Sequence, residues 1–257
     1  MNEIVTFGRN YKLTPGIKVF VKSSKNFCDK LTIICSDLDA NLTEFLKREG
    51  VNVIDANAIA SSFNVDMNIS PYTLKVIFFY LYCKHICKSV NVYLCDFTDI
   101  FIQKNLFEII KNDKPYITCE NVKIGNCETN KTWINVCYNS DIFNLLKNYE
   151  ILNGGSILGN IFNVIPLLKE MCADMTQIIS RIGNYPNIDQ ASLNKVVYFD
   201  QYRYNVLADR EIFNLAHHGD VAYEINSKSI SFSGYVPYVI HQYDVIKKIE
   251  KFLYEQV

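Results

Sequence analysis

Short runs of aliphatic and β-branched residues recur along this chain, and most are separated by a stretch long enough for a helix. That alternation constrains the fold more than any other feature. Strands joined by crossover helices build a mainly parallel sheet with helices on both faces. Residues 1–8, 17–21, 31–35, 51–54, 91–95, 114–119, 133–138, 156–158, 204–207, 222–225 and 239–241 read as strands. Residues 41–50, 72–88, 141–149, 164–182, 188–197 and 245–255 read as helices. Local signals support several of these. Asn41 with Glu44 three residues on suggests a capping box, and Gly50 a stop. Pro71 suits the position just before a helix, Pro166 a helical first turn, and Gly183 a helix end. The expected architecture is an α/β, Rossmann-like αβα sandwich with a mainly parallel mixed sheet, one domain over residues 1–257. Ligands in such sheets bind beyond the C-terminal ends of strands, so the residues just after strands carry the functional question.

Composition narrows the classes. The chain is 49% hydrophobic, with 26 basic and 27 acidic residues. A disordered chain would be less apolar or more highly charged. A phosphate-driven nucleic-acid binder would carry a basic excess, so no nucleic-acid partner is expected. The longest unbroken apolar run, residues 76–83, spans eight positions, against the roughly 20 that cross a bilayer. The N-terminus lacks a basic flank and a long apolar run, so it reads as a strand and not as a signal peptide. Nine cysteines are present without a C-x-x-C pair. They read as reduced thiols in apolar runs, which places the protein, as an expectation, soluble in the cytoplasm. Only Cys83, His85 and Cys87 approach a zinc-ligand spacing, and core packing explains them better.

Four segments carry candidate chemistry. Asp96 ends an apolar run and Asp99 follows it. Two carboxylates there can hold a divalent cation through hard oxygen ligands, or act as a helix cap or turn. Asn153-Gly154-Gly155, with Gly159, allows close approach of backbone to a ligand, or forms a tight turn feeding an edge strand. Three of the chain's ten glycines fall in this segment. Asp189-Gln190, with Asn194, opens a helix, where an acid favours the dipole and also caps. His241 ends a buried strand, followed by Gln242, Tyr243 and Asp244. It is either a metal ligand or proton carrier, or a hydrogen-bonded structural residue. His217 and His218, beside Gly219 and Asp220, read as a solvated polar turn. The P-loop, the dinucleotide fingerprint, the serine nucleophile elbow and H-E-x-x-H are all missing.

The fixed order Asp96-x-x-Asp99-x-x-x-Gln103, Asn153-Gly-Gly-x-x-x-Gly159, Asp189-Gln190-x-x-x-Asn194, His241-Gln-Tyr-Asp244 resembles the GT-A-fold nucleotide-sugar glycosyltransferases. Family 8 transferases share the N-x-G and D-Q-x-x-L-N elements. The likeness runs from about Ile4 to Asp244. Two departures stand out. The carboxylates are two residues apart, not one as in D-x-D, and His241-Gln-Tyr-Asp replaces the family 8 ending G-x-x-K-P-W.

The resemblance implies transfer of a sugar from a nucleotide-diphosphate sugar to a hydroxyl of a glycan or protein. It implies that Asp96, Asp99 and His241 hold Mn²⁺, or Mg²⁺, with the mixed oxygen and nitrogen set suiting Mn²⁺ slightly better. Thr6, Gly8 and Tyr11 would frame the base, and Lys75 would reach a phosphate unless it is simply solvated. Asn153, Gly154 and Gly155 would line the sugar and acceptor side. Asp189 and Gln190 would act at the anomeric centre, with retention of configuration favoured. Two alternatives stay open: a catalytically degenerate scaffold, and a sugar nucleotidyltransferase using Gly8 to Lys12 as a poor phosphate loop.

Overall fold

The strands and helices follow the expected alternation, with two reversals. The computed structural model describes residues 1–207, 210–217, 221–227 and 229–257. The first part runs β1 (Asn2–Arg9), α1 (Pro15–Lys25), β2 (Lys30–Ser36), α2 (Ala40–Arg48), β3 (Asn52–Asp55), α3 (Ala56–Phe63), α4 (Pro71–His85) and β4 (Asn91–Cys95). The middle contains β5 (Ile100–Ile102), β6 (Tyr116–Lys123), α5 (Glu128–Cys137), α6 (Ser140–Leu146), β7 (Glu150–Asn160), α7 (Ile161–Ile182) and α8 (Ile188–Phe199). Then come β8 (Asn205–Leu207), β9 (Ile212–Asn214), β10 (Tyr223–Ile225), β11 (Ile230–Phe232), β12 (Val239–His241) and α9 (Lys247–Tyr254).

The expected strand at 17–21 is helix α1. Thr14 caps it, its hydroxyl accepting from Ile17 N–H at 3.3 Å, and Pro15 occupies the first turn. The cap and the proline outweigh the β-propensity of Ile17, Val19 and Val21. The expected strand at 133–138 lies mostly in helix α5, where Asn130, Ile134 and Cys137 are buried at helical spacing. Helix α2 is capped by Asp39 and not by Asn41, with Asp39 Oδ1 accepting from Leu42 N–H at 2.7 Å. Pro166 sits inside α7, because the helix already starts at Ile161.

The central sheet has seven strands in the order β3-β2-β1-β4-β7-β6-β8. Pairings β1–β2, β1–β4, β2–β3 and β6–β8 are parallel, and β7 is antiparallel to both neighbours. Alternate residues feed two cores. Val5, Val92 and Leu94 pack with α4, α7 and α8 on one face, while Ile4, Tyr93 and Cys95 pack with α1 and α2 on the other. The result is the expected αβα sandwich. A small sheet, β5-β12-β9, and the hairpin β10-β11 cover one end with α9. Gln103 ties them together, donating to Ile230 O and Pro237 O and accepting from Ile230 N–H. All nine cysteines are free thiols. Among the described residues no helix is long and apolar enough to cross a membrane.

Strand order switches direction at β1, whose neighbours β2 and β4 lie on opposite sides. The C-terminal ends of β1 and β4 therefore flank the crevice where ligands enter such sheets. The opposite end is closed by Glu3, wholly buried, whose carboxylate accepts from Thr32 (2.5 Å), Tyr82 (2.6 Å), Ser89 (2.5 Å) and Cys87 (3.1 Å).

Candidate active site

At the switch point lies a cavity of about 550 Å³. Asp96 leaves β4 with its N–H bonded to Gly155 O at 3.1 Å. The next residue, Phe97, is buried edge-on against Tyr11 and Phe20. This anchoring brings the chain round so that Asp99, despite the two-residue spacing, faces the same point as Asp96. His241 arrives from the small sheet, where it pairs with Ile100 on β5 and Asn214 on β9. Its Nε2 lies 3.4 Å from Asp96 Oδ2 and 3.6 Å from Asp99 Oδ2. The three residues each offer a ligand atom within 4.8 Å of the others.

The set fits a divalent cation. Asn214 donates to Cys119 O at 3.0 Å, so its Oδ1 is left to accept from His241 Nδ1–H at 2.8 Å. That bond leaves Nε2 as the ring atom aimed at the carboxylates, and Nε2 is buried without a hydrogen-bond partner. A metal-binding imidazole is held in this way, through its other nitrogen. Charge points in the same direction. Asp96, Asp99 and Asp189 converge, and the ammonium among them is Lys75.

Lys75 is buried, 2.8 Å from Asp96 Oδ1 and 3.5 Å from Asp189 Oδ2. It is not the solvated lysine that was the alternative to phosphate binding. Burial works against its charge, yet the two carboxylates outweigh burial and raise its pKa. Burial likewise opposes ionisation of Asp96, and Lys75 with His241 overcomes it, so Asp96 stays well below the usual carboxylate range. Asp99 has His241 but no lysine beside it, and His241 does not offset its burial. Burial, reinforced by Asp96, pushes it up to about 6. Asp189 is also raised by burial, against Lys75.

The glycine segment is not a turn into an edge strand. It lies inside β7, between β4 and β6. A Cβ on Gly155 would sit 2.2 Å from Asp96 Oδ2 and 2.8 Å from His241 Cε1, so this glycine makes room for the acidic cluster itself. Asn153 donates to Glu120 at 2.7 Å and accepts from Gly155 N–H at 2.8 Å. Gly154 N–H donates to Gln190 Oε1 at 3.2 Å, and Gln190 Nε2 donates to Asn130 Oδ1 at 3.1 Å. Asn194 pins α8 to β7 by bonding both N–H and O of Leu152. The helix is entered through Asn187 in a left-handed conformation, and Asp189, in its first turn, reaches Lys75 through Oδ2.

Of the expected site residues, Tyr11, Lys75, Asp96, Asp99, Asn153, Gly154, Gly155, Asp189, Gln190 and His241 line the cavity. Thr6 and Gly8 do not. Thr6 is buried in the sheet beside Cys95, and Gly8 lies under the rings of Phe97 and Tyr11. His217 is not simply solvated, since its Nε2 lies 3.0 Å from Glu120 Oε2. His218 lies outside the described residues. Sequence reasoning missed Arg9, Tyr72, Trp133 and Asn187 as lining residues, and Asn214 behind His241. Arg9 is held by Met67 O at 2.6 Å. Trp133 was hidden by the strand reading of its segment.

Protein-family models and curated proteins provide no match to this chain. Solved structures do. The galactosyltransferase LgtC, in complex with donor and acceptor sugar analogues, aligns over 98% of this chain and 95% of its own, with TM-score 0.58 and 12% identity. An active-site mutant of LgtC aligns over 99% and 95%, with TM-score 0.58 and 15% identity. The chain therefore has the GT-A fold of LgtC.

Proposed function

We propose that residues 1–257 form one glycosyltransferase domain, moving a sugar from a nucleotide-diphosphate sugar to a hydroxyl acceptor. The observation that carries this reading is the buried, unpartnered His241 Nε2 facing Asp96 and Asp99 at the switch point of this fold. Asp96, Asp99 and His241 would hold Mn²⁺ or Mg²⁺. Such an ion, when bound, supplies positive charge for a departing diphosphate.

The chain's own groups do the rest. Lys75 keeps Asp96 ionised and holds Asp189 in place. Asp189, buried in the first turn of α8, presents its carboxylate to hydroxyls of the donor sugar. Gln190, fixed between Gly154 and Asn130, presents its amide beside the reacting carbon. Burial raises Asp189 toward the range of a general base even beside Lys75, so retention is favoured only by the likeness of the Asp189-Gln190 pair to that of retaining transferases. The nucleotidyltransferase reading loses support because Gly8 is covered by aromatic rings.

The test is incubation with Mn²⁺ and a panel of nucleotide sugars, with and without chelator. Release of nucleoside diphosphate, abolished by chelator and reduced at least a hundredfold or so by Asp189→Asn, is the expected result. Pyrophosphate exchange would instead indicate a nucleotidyltransferase, and no turnover of any donor a scaffold.

A further inference from the structure

The end of the sheet opposite the cavity carries a chemistry of its own. Strands β1 and β4 begin there and β7 ends there. Helix α4 starts at the cavity with Pro71 and Tyr72 and ends at this far side, where α7 begins. Four large apolar side chains stand at these element ends. Phe162, in the first turn of α7, is 75% exposed, and Val90, just before β4, is 49% exposed. Ile86 follows α4 and Phe63 closes α3, and both are exposed as well. Contacts hold them in one array. Ile161 N–H donates to Val90 O at 2.9 Å, which joins the start of α7 to the start of β4. The Phe63 ring lies 4.7 Å from the ring of His85, the residue before Ile86. Underneath, Cys87 and Ser89 donate to the buried Glu3 carboxylate and fix the turn between Ile86 and Val90.

The charge interleaved with this array has one sign. Lys84 and Lys88 are exposed on either side of Ile86. No Asp or Glu occurs between Asp66 and Asp96, or between Glu150 and Glu170, so both turns are free of acid. The neighbouring acids are engaged within the chain. Asp29 accepts from Asn2 N–H at 2.7 Å, and Asp66 from Asn68 N–H at 2.9 Å. Apolar tips on separate element ends, with lysines between them, lack the charge-poor, closely packed centre of an interface with a folded partner. A second copy docked by a two-fold axis would bring Lys84 and Lys88 toward their own equivalents, where like charges repel. An anionic bilayer suits both features. Its headgroups attract the ammonium groups, and the apolar tips enter the boundary between headgroups and acyl chains.

We propose that this end of the molecule docks on an anionic lipid surface, lying on it with the cavity turned toward water. The proposal stands apart from the transferase reading, because it uses none of the residues that line the cavity.

The test is sedimentation of the full chain with vesicles. One set is phosphatidylcholine alone, the other an equimolar mixture of phosphatidylcholine and phosphatidylglycerol. The protein should sediment with the mixed vesicles only, and raising the salt to about 1 M should release it. Lys84→Gln combined with Lys88→Gln should weaken binding about thirtyfold, roughly fivefold for each lysine. The control is Lys248→Gln with Lys251→Gln on α9, which removes the same charge elsewhere and should bind as the wild type. Phe162→Ser should weaken binding about tenfold or more, and Phe162→Trp should restore it. These side chains are exposed, so denaturant melts of the variants should match the wild type. The proposal is overturned by no binding to either vesicle, by equal binding to both, or by equal losses in the two lysine pairs. It is also overturned if light scattering shows a lipid-free dimer that Phe162→Ser dissociates, since the face would then belong to a second copy.

Discussion

A single methyl group at position 155 should dismantle the acidic cluster while leaving the sheet that carries it standing. In Gly155→Ala the new carbon would lie 2.2 Å from Asp96 Oδ2, 2.8 Å from Asp96 Cγ and 2.8 Å from His241 Cε1. The backbone cannot retreat. Gly155 O accepts from Asp96 N–H at 3.1 Å, and Gly155 N–H is held by Asn153 at 2.8 Å. The carboxylate must therefore swing away by about 1 Å, a displacement that costs roughly a hundredfold in turnover. Crowding of this kind costs about 1–3 kcal/mol of stability, so the variant should still fold. Mn²⁺ affinity by electron paramagnetic resonance, donor turnover and a denaturant melt give the three readouts. Gly154→Ala is the control, since its Cβ would meet nothing closer than Asp189 Oδ2 at 3.4 Å. Wild-type Mn²⁺ affinity in Gly155→Ala would refute the idea that this glycine exists to seat the ligands.

Lys75→Met leaves the buried Asp189 and the partly exposed Asp96 without their cation. A loss of up to about 3 kcal/mol is expected in a urea melt, since water reaches Asp96, and an unchanged midpoint would contradict the ion-pair account. Burial, with Asp96 nearby, raises Asp99 to about 6, so a proton competes there with a metal ion. Mn²⁺ affinity should weaken by up to about tenfold per pH unit below that value and should go on rising above it until His241 loses its proton, because Asp99 and Asp96 outweigh burial and raise the imidazole too, whereas Asp99→Asn should bind weakly at every pH. Glu3 behaves in the opposite sense. Burial opposes its charge, but hydrogen bonds from Ser89, Thr32, Tyr82 and Cys87 win and lower its pKa. Its stabilisation is present above the unfolded value and is lost as pH falls through the lower folded value. Glu3→Gln should therefore cost about 2 kcal/mol at neutral pH and progressively less in acid, which paired melts at pH 7 and pH 3 would show.

Much of the architecture was legible because strand-length apolar runs and helix caps are local signals. The strand end at Asp96, the helix at Asp189 and the strand end at His241 were all visible in this way. What failed was also local in origin. Residues 17–21 looked like a strand because β-branched residues dominate them, and the capping Thr14 and Pro15 reversed the outcome. Residues 133–138 are too short an apolar run to show period, and the buried spacing of Asn130, Ile134 and Cys137 emerges only with the helix. The error hid Trp133. Other site features depend on contacts distant in sequence. Lys75 was expected to reach a phosphate or to be solvated, and its place between Asp96 and Asp189 shows only in the fold. Asn214 comes from a three-residue strand with no readable pattern, and its role exists only because β9 pairs with β12. Gly155 was expected to admit a sugar, yet its missing side chain admits Asp96 and His241 instead.

His241 belongs to the small sheet in which β5, β9 and β12 meet, and those strands come from widely separated stretches of the chain. Order of synthesis thus becomes order of assembly. At about 5–20 residues per second, Asp96 and Asp99 emerge from the ribosome roughly 7–30 s before His241. During that interval a nascent chain carries both acids without their imidazole. Lys75, made earlier still, is already present to pair with Asp96. Asp96 thus has a partner encoded ahead of it, whereas the cation site is complete only when the last strand brings His241.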